Sequence, residues 1–209
     1  QVGIEGGKGA EANAVDGGCD VCGGFVKDQS LRTGYRDGCL SFERWAELSA
    51  FCRAVGCSLL FTVNALAGRS RTPCEPAVNC RLTKPAPACC TDYRGGWDGR
   101  NAAALLRHAA ARRDPVAAVA FGNELGGARA IEARLGADVY AQGIAQLRDI
   151  VNDAWPDAET RPLVIAPNIQ IDAQDDAAWL AGLVHEAPFL KIVTHHLYPL
   201  GPGNFSKVE

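Results

Sequence analysis

Val116-Ala117-Ala118-Val119-Ala120-Phe121-Gly122-Asn123-Glu124-Leu125 is the stretch on which the fold turns. Its first six residues are all apolar, with none of the alternation of a half-exposed strand, which suits a parallel strand covered on both faces. Pro115 ends whatever precedes the run, and Gly122 ends the run itself. An amide and a carboxylate, Asn123 and Glu124, follow at once.

The segments on either side repeat the pattern. Upstream, Ser41 is a plausible N-cap for a helix in which Phe42, Trp45, Leu48, Cys52 and Val55 recur at three- and four-residue steps, and Gly56 is a C-terminal stop. Leu59 to Ala65 is a nearly continuous apolar run and reads as another buried strand. Residues 68–96, with Pro, Gly, four Cys and several Arg, read as a long surface insertion, and Asn101 to Arg113 as an Ala/Leu/Arg helix. Downstream come a helix over Asp138 to Trp155, a strand over Pro162 to Ala166, a helix over Gln174 to Glu186 and a strand over Leu190 to Thr194. Residues 1–38 are Gly- and Cys-rich with little periodicity and read as an irregular segment, which leaves 39–209 as the α/β domain. Strand and helix alternate four times, so the class is α/β, either a doubly wound sheet or a (β/α)₈ barrel. A barrel takes ~250 residues, so this chain would supply only part of one.

Composition narrows the function. The 209 residues are 47% hydrophobic, which excludes a disordered chain, and the net charge of -3 argues against a nucleic-acid partner, which would call for a basic face. No apolar run approaches the ~20 residues of a membrane span, which leaves only peripheral association with a membrane open. The nine Cys all precede position 91. Cys19-x-x-Cys22 lacks a second such pair, and all four His lie beyond position 107, so disulfides of a secreted or lumenal protein are favoured over zinc. Asn204-Phe205-Ser206 is a glycosylation sequon that agrees with an extracellular, lysosomal or vacuolar setting.

In either architecture chemistry gathers at the carboxyl ends of the strands. Asn64, Asn123-Glu124, Pro167-Asn168 and His195-His196 with Tyr198 all fall there. One polar residue at a strand end is ordinary loop chemistry; four such ends on one side of a sheet make a polar, concave site. A carboxylate at the rim of an apolar core is disfavoured as an anion, and a neutral carboxylic acid can donate its proton to a leaving-group oxygen. The plainer reading of Glu124 is a solvated loop residue or a helix cap. Asn123 suits a sugar hydroxyl. His195 and His196 are adjacent on a strand and point to opposite faces, so they do not share a metal; one suits the core and the other faces the site.

Six segments, in order, resemble the heparanase-like β-glucuronidases of glycoside hydrolase family 79. Val119 to Leu125 is similar to the family's fourth-strand signature. Asp37 to Leu48 resembles the segment leading into the second barrel helix, Phe61 to Leu66 the third strand, and Gly96-Trp97-Asp98 with Asn101-Ala102 the start of the third helix. Pro162 to Pro167 resembles the fifth strand, and Val193 to Tyr198 with Leu200-Gly201-Pro202-Gly203 the sixth in its plant-type form. The resemblance implies a partial (β/α)₈ barrel covering roughly strands 3 to 6, a carbohydrate substrate, and a retaining mechanism in which two Glu carboxyls stand about 5 Å apart and no cofactor or metal is needed. It carries the acid/base role to Glu124 and a sugar-hydroxyl contact to Asn123. Substrate contacts fall to His196 and Tyr198, with Asn64 at its strand end and Gln170 near, though out of register with, a substrate-touching Gln of the mammalian enzymes.

The chain also departs from the family. Its nucleophile belongs near the eighth strand, and the only acidic residue past Tyr198 is Glu209, with no strand around it. No nucleophile is found, and the first strand is unrecognisable. A start at Gln1 without Met favours an incomplete sequence over a naturally truncated chain, and these residues alone are expected neither to fold stably nor to turn over substrate. Arg69, Arg71, Arg81 and Lys84 in the insertion read as a solvated scatter of charge, which points to less charged glucuronides rather than heparan sulfate. Two alternatives stand beside the enzyme: a secreted glycan-binding module without a nucleophile, and a Cys-rich structural protein with a decayed barrel.

Overall fold

The computed structural model describes residues 26–27, 35–37, 40–73, 91–126, 133–171 and 174–197. Strands β1 (Val26–Lys27) and β2 (Tyr35–Asp37) form a short antiparallel pair inside the segment that lacked any periodic signal. Strands this short carry too few residues for an alternation to show.

Helix α1 (Phe42–Val55) starts and stops where its capping residues dictate. Ser41 Oγ accepts from the Arg44 N–H at 3.2 Å, and Gly56 adopts φ 72°, a left-handed conformation open to glycine without cost to a side chain. Its apolar stripe is only half covered. Trp45 and Cys52 are buried, whereas Leu48 and Val55 stay exposed among the described residues. Cys52 and Cys57 form a disulfide that ties the last turn of α1 to the loop after it, and the other seven cysteines lie outside the described residues.

The core is a four-stranded parallel sheet in the order β3 (Leu59–Val63), β6 (Val116–Phe121), β8 (Leu163–Gln170), β9 (Val193–His196). Between successive strands the chain passes through α2 (Arg100–Ala111), α3 (Ala137–Ala154) and α4 (Gln174–Glu186). The expected α/β alternation is therefore present as an open sheet, with no closed barrel among the described residues. Helix α3 shows why the helices pack as they do. Tyr140, Ala141, Ile144, Leu147 and Val151 recur at three- and four-residue steps and are all buried. Fully burying one such large side chain contributes roughly 1.5–3 kcal/mol. Trp97, Phe121, Tyr140 and Trp179 form a chain of edge-to-face contacts between ring centroids 4.9 to 5.3 Å apart, which lies directly beneath the carboxyl end of β6.

The insertion is not featureless. Its ends form β4 (Ser70–Pro73) and β5 (Thr91–Arg94), which pair antiparallel, and β5 pairs parallel with β7 (Ala133–Arg134). Asp92 accepts from Arg134 at 2.8 Å across that last pair. Residues 74–90 lie outside the described residues.

One charge differs from its sequence expectation. Arg69 is buried, at 9% exposure, rather than part of a solvated scatter. Its guanidinium donates to the carbonyls of Ala65, Gly95 and Val139, so backbone oxygens take the place of water, and burial lowers its pKa. A sequence shows charge but not the carbonyls that will surround it.

Candidate active site

Because the four strands are parallel, their carboxyl ends lie on one side of the sheet. The turn that leaves β6 is fastened to both neighbouring strands. Gly122 donates its N–H to Val63 O on the β3 side at 3.1 Å, and Glu124 donates its N–H to Asn168 O on the β8 side at 2.9 Å. The turn needs glycine at 122. Its φ is 67°, and a Cβ there would stand 2.5 Å from Leu125 Cδ1 and 3.0 Å from Ala65 Cβ. Glu124 has φ 52°, a conformation that costs a non-glycine residue roughly 1–2 kcal/mol. Strain of this kind persists where surrounding contacts enforce it, and it gathers at functional sites.

The next strand end is also irregular. Pro167 pairs with Thr194 and Ile169 with His195, so Asn168, at φ 53°, is an extra residue that bulges from β8. The Thr194 hydroxyl pins the bulge by accepting from Asn168 N at 3.0 Å and donating to Asn168 Oδ1 at 2.6 Å. The bulge therefore presents the Asn168 carbonyl to Glu124 and brings Gln170 opposite His196.

His196 completes the group. Its Nδ1 stands 2.6 Å from Glu124 Oε1, and the Glu124 residue is 8% exposed. One proton is shared at that distance: an ionised Glu124 accepts it from Nδ1, and a neutral Glu124 donates it. The pair joins the ends of β6 and β9 and holds a carboxyl oxygen in a fixed place in a largely water-excluded setting, which is what a proton donor to a bound substrate needs. His195, on the opposite face of β9, is exposed, so neither histidine is a core residue.

The other sequence candidates are less closely gathered. Asn123 is half-buried in the turn beside Glu124. Asn64 braces its own strand end, where its Oδ1 accepts from Leu66 N at 2.8 Å and its carbonyl accepts from Trp97 Nε1 at 2.8 Å. Gln170 is half-buried at the end of β8. Tyr198 and the sequon residue Asn204 lie outside the described residues. Among the described residues no three His, Cys, Asp or Glu side chains gather as a metal site, and no helix is long and apolar enough to cross a membrane. A cavity of about 70 Å³ opens between α1, β3 and α2, lined by Trp45, Phe61, Trp97 and Leu105 among others, but neither Glu124 nor His196 borders it.

Sequence reasoning missed Thr194, the bulge at Asn168, and Tyr140. Asn168 had a visible signal, a polar residue at a strand end. Tyr140 had none, since one tyrosine on an apolar helix face looks like any core aromatic.

The parallel α/β sheet thus brings the side chains of a glutamate and a histidine together across its strand ends. The model of the N-terminal domain of glycosyl hydrolase family 79 matches residues 13–209, and the chain belongs to that family. Heparanase-like protein 3 of Arabidopsis thaliana is 34% identical over 185 residues, which cover 87% of this chain and 30% of that protein. Heparanase-like protein 1 of the same plant is 30% identical over 186 residues, covering 88% and 30%. Baicalin-beta-D-glucuronidase of Scutellaria baicalensis is 28% identical over 180 residues, covering 86% and 32%. The chain thus spans about a third of the length of the curated relatives it matches.

Proposed function

We propose that this chain is the acid/base portion of a retaining glycoside hydrolase that cleaves β-glucuronide bonds in glycans or glucuronides. Glu124 protonates the glycosidic oxygen as the bond breaks and then, as the carboxylate, deprotonates the water that releases the sugar from the second carboxylate. Asn123 takes a sugar hydroxyl, and His196 holds the Glu124 carboxyl and lines the substrate with Tyr198. Asn64 and Gln170 belong to the outer part of the same site. The attacking carboxylate comes from polypeptide outside residues 1–209, with β3, β6, β8 and β9 serving as the third to sixth strands of a (β/α)₈ barrel. The observation that carries this reading is the strained turn that sets the Glu124 carboxyl 2.6 Å from His196 at the end of an interior parallel strand. Family membership and a relative named as a glucuronidase support the substrate class. The Cys52–Cys57 disulfide supports a secreted or lumenal setting, with glycosylation at Asn204 part of the same proposal.

The test uses the full-length gene product with an alkyl β-glucuronide and an activated aryl β-glucuronide. Glu124→Gln should lower turnover of the alkyl substrate by roughly 10²–10⁴ and that of the aryl substrate much less, because a good leaving group does not need the proton. Full activity of Glu124→Gln on the alkyl substrate overturns the assignment. Saturable glycan binding without any turnover by the unaltered protein would instead favour a non-catalytic binding module.

A further inference from the structure

Tyr140 stands under the site without touching it, and the reason for its hydroxyl lies in the β6–β8 ladder. The Phe121 C=O and the Gly122 N–H belong to one trans peptide unit and point in opposite directions. The Gly122 N–H goes to Val63 O on the β3 side, so the Phe121 carbonyl faces β8. The register pairs Ala118, Val119 and Ala120 with Leu163, Val164 and Ile165, which sets Phe121 opposite Ala166. In a parallel ladder the next donor for that carbonyl is the residue after its partner, which here is Pro167. Proline has no N–H, and the pairing of β6 with β8 stops at Ala120. The Tyr140 hydroxyl, fully buried on α3, donates to the Phe121 carbonyl instead and lies 3.5 Å from the Pro167 carbonyl. A helix thereby supplies the hydrogen bond that the neighbouring strand cannot, at the last residue before the turn that carries Glu124.

We propose that Tyr140 is a positioning residue for Glu124: its phenol replaces the missing Pro167 donor and fixes the end of β6 from which the acid/base carboxyl is aimed. The inference rests on the acid/base reading of Glu124. Removing the hydroxyl leaves a buried carbonyl without its donor, and the strand end is then free to shift relative to β8. A displaced acid harms those reactions that depend on leaving-group protonation and spares those that do not.

The experiment compares Tyr140→Phe with the unaltered full-length protein on an alkyl and an activated aryl β-glucuronide, reading the ratio of the two kcat/KM values. That ratio does not depend on how much of the variant folds, so partial misfolding leaves it informative. The expected result is a fall of roughly tenfold or more for the alkyl substrate, a fall below about threefold for the aryl substrate, and a ratio shifted in the same direction as in Glu124→Gln. Equal falls on both substrates, or no fall, overturn the positioning role while a selective effect of Glu124→Gln leaves the acid/base reading standing. An unselective Glu124→Gln, or no turnover by the unaltered protein, overturns both.

Discussion

His196 Nδ1 and Glu124 Oε1 stand 2.6 Å apart although the two residues are 72 positions apart in the chain, and their contact bridges the ends of the second and fourth strands of the sheet. The contact fixes one carboxyl oxygen and gives the acid a partner with which it shares a proton. His196→Ala should therefore lower kcat on an alkyl β-glucuronide by roughly 10²-fold, the low end of what one positioned proton-transfer group contributes. His196→Asn, whose Nδ2 amide stands where the imidazole Nδ1 does, should recover part of that loss. Steady-state kinetics on the two variants check it, and equal activity of His196→Ala and the unaltered protein would remove the histidine from the mechanism.

Gly122 is where backbone conformation and packing forbid the same thing. An alanine at φ 67° costs roughly 1–2 kcal/mol in backbone strain, and its Cβ would press on Leu125 and Ala65, both buried. Gly122→Ala should lower the free energy of unfolding by about 2–4 kcal/mol, and because the turn that carries Glu124 must move, activity should fall in the fraction that still folds. Denaturant titration with a parallel assay measures both. A variant as stable as its parent would mean that the turn is far softer than its contacts imply.

How much of this was legible in the sequence depended on whether a residue's role was local. Ser41 and Gly56 bound α1 because capping acts over three or four residues, and the run from Val116 to Phe121 marked a strand because burial on both faces writes itself as an unbroken apolar stretch. Glu124 could be suspected from its place after that strand. Its partner could not be fixed, since the choice between His195 and His196 rests on strand register, which the bulge at Asn168 shifts. Arg69 and Tyr140 were illegible for the same reason: the carbonyls of Gly95 and Val139 around Arg69, and that of Phe121 above Tyr140, lie in segments brought near only by the fold. The antiparallel pairing of β4 with β5 joins residues about 20 apart across the unread insertion, too far for any turn signature to show.

The opposite end of the sheet offers a control. Asp114, its side chain fully buried, accepts from Trp45 Nε1 at 2.8 Å and from Arg53 at 2.5 Å, with Arg112 3.4 Å away. It locks α1 to the start of β6, where Leu59 N donates to the Pro115 carbonyl. Asp114→Ala leaves the buried Trp45 indole N–H without its acceptor and takes the partner from the exposed Arg53 guanidinium, which should cost about 1–3 kcal/mol of stability. The leaving-group ratio of the folded fraction should not change, because nothing at the carboxyl ends of the strands has moved. A changed ratio would show that packing at the far end of the sheet reaches the acid.

Tyr140 also predicts how stability depends on pH. Burial pushes its phenol well above the ordinary tyrosine value. Below pH ~10 the phenol is protonated in both the folded and the unfolded chain, and its hydrogen bond contributes in full. Above pH ~10 the unfolded phenol ionises while the folded one is held neutral, so the unfolded state binds fewer protons and stability falls as pH rises, by up to about 1.4 kcal/mol per unit from this group alone. Tyr140→Phe lacks that titration. At pH ~8 it should be less stable than its parent by roughly 1–2 kcal/mol, the cost of an unmet buried acceptor. The gap should then narrow above pH ~10 and close or reverse by about pH 11–12, with every other titrating group cancelling in the difference. Denaturant midpoints of the two proteins across roughly pH 8 to 12 decide it, and a gap that stays constant would mean that the phenol ionises as easily folded as unfolded and is not shut away beneath the site.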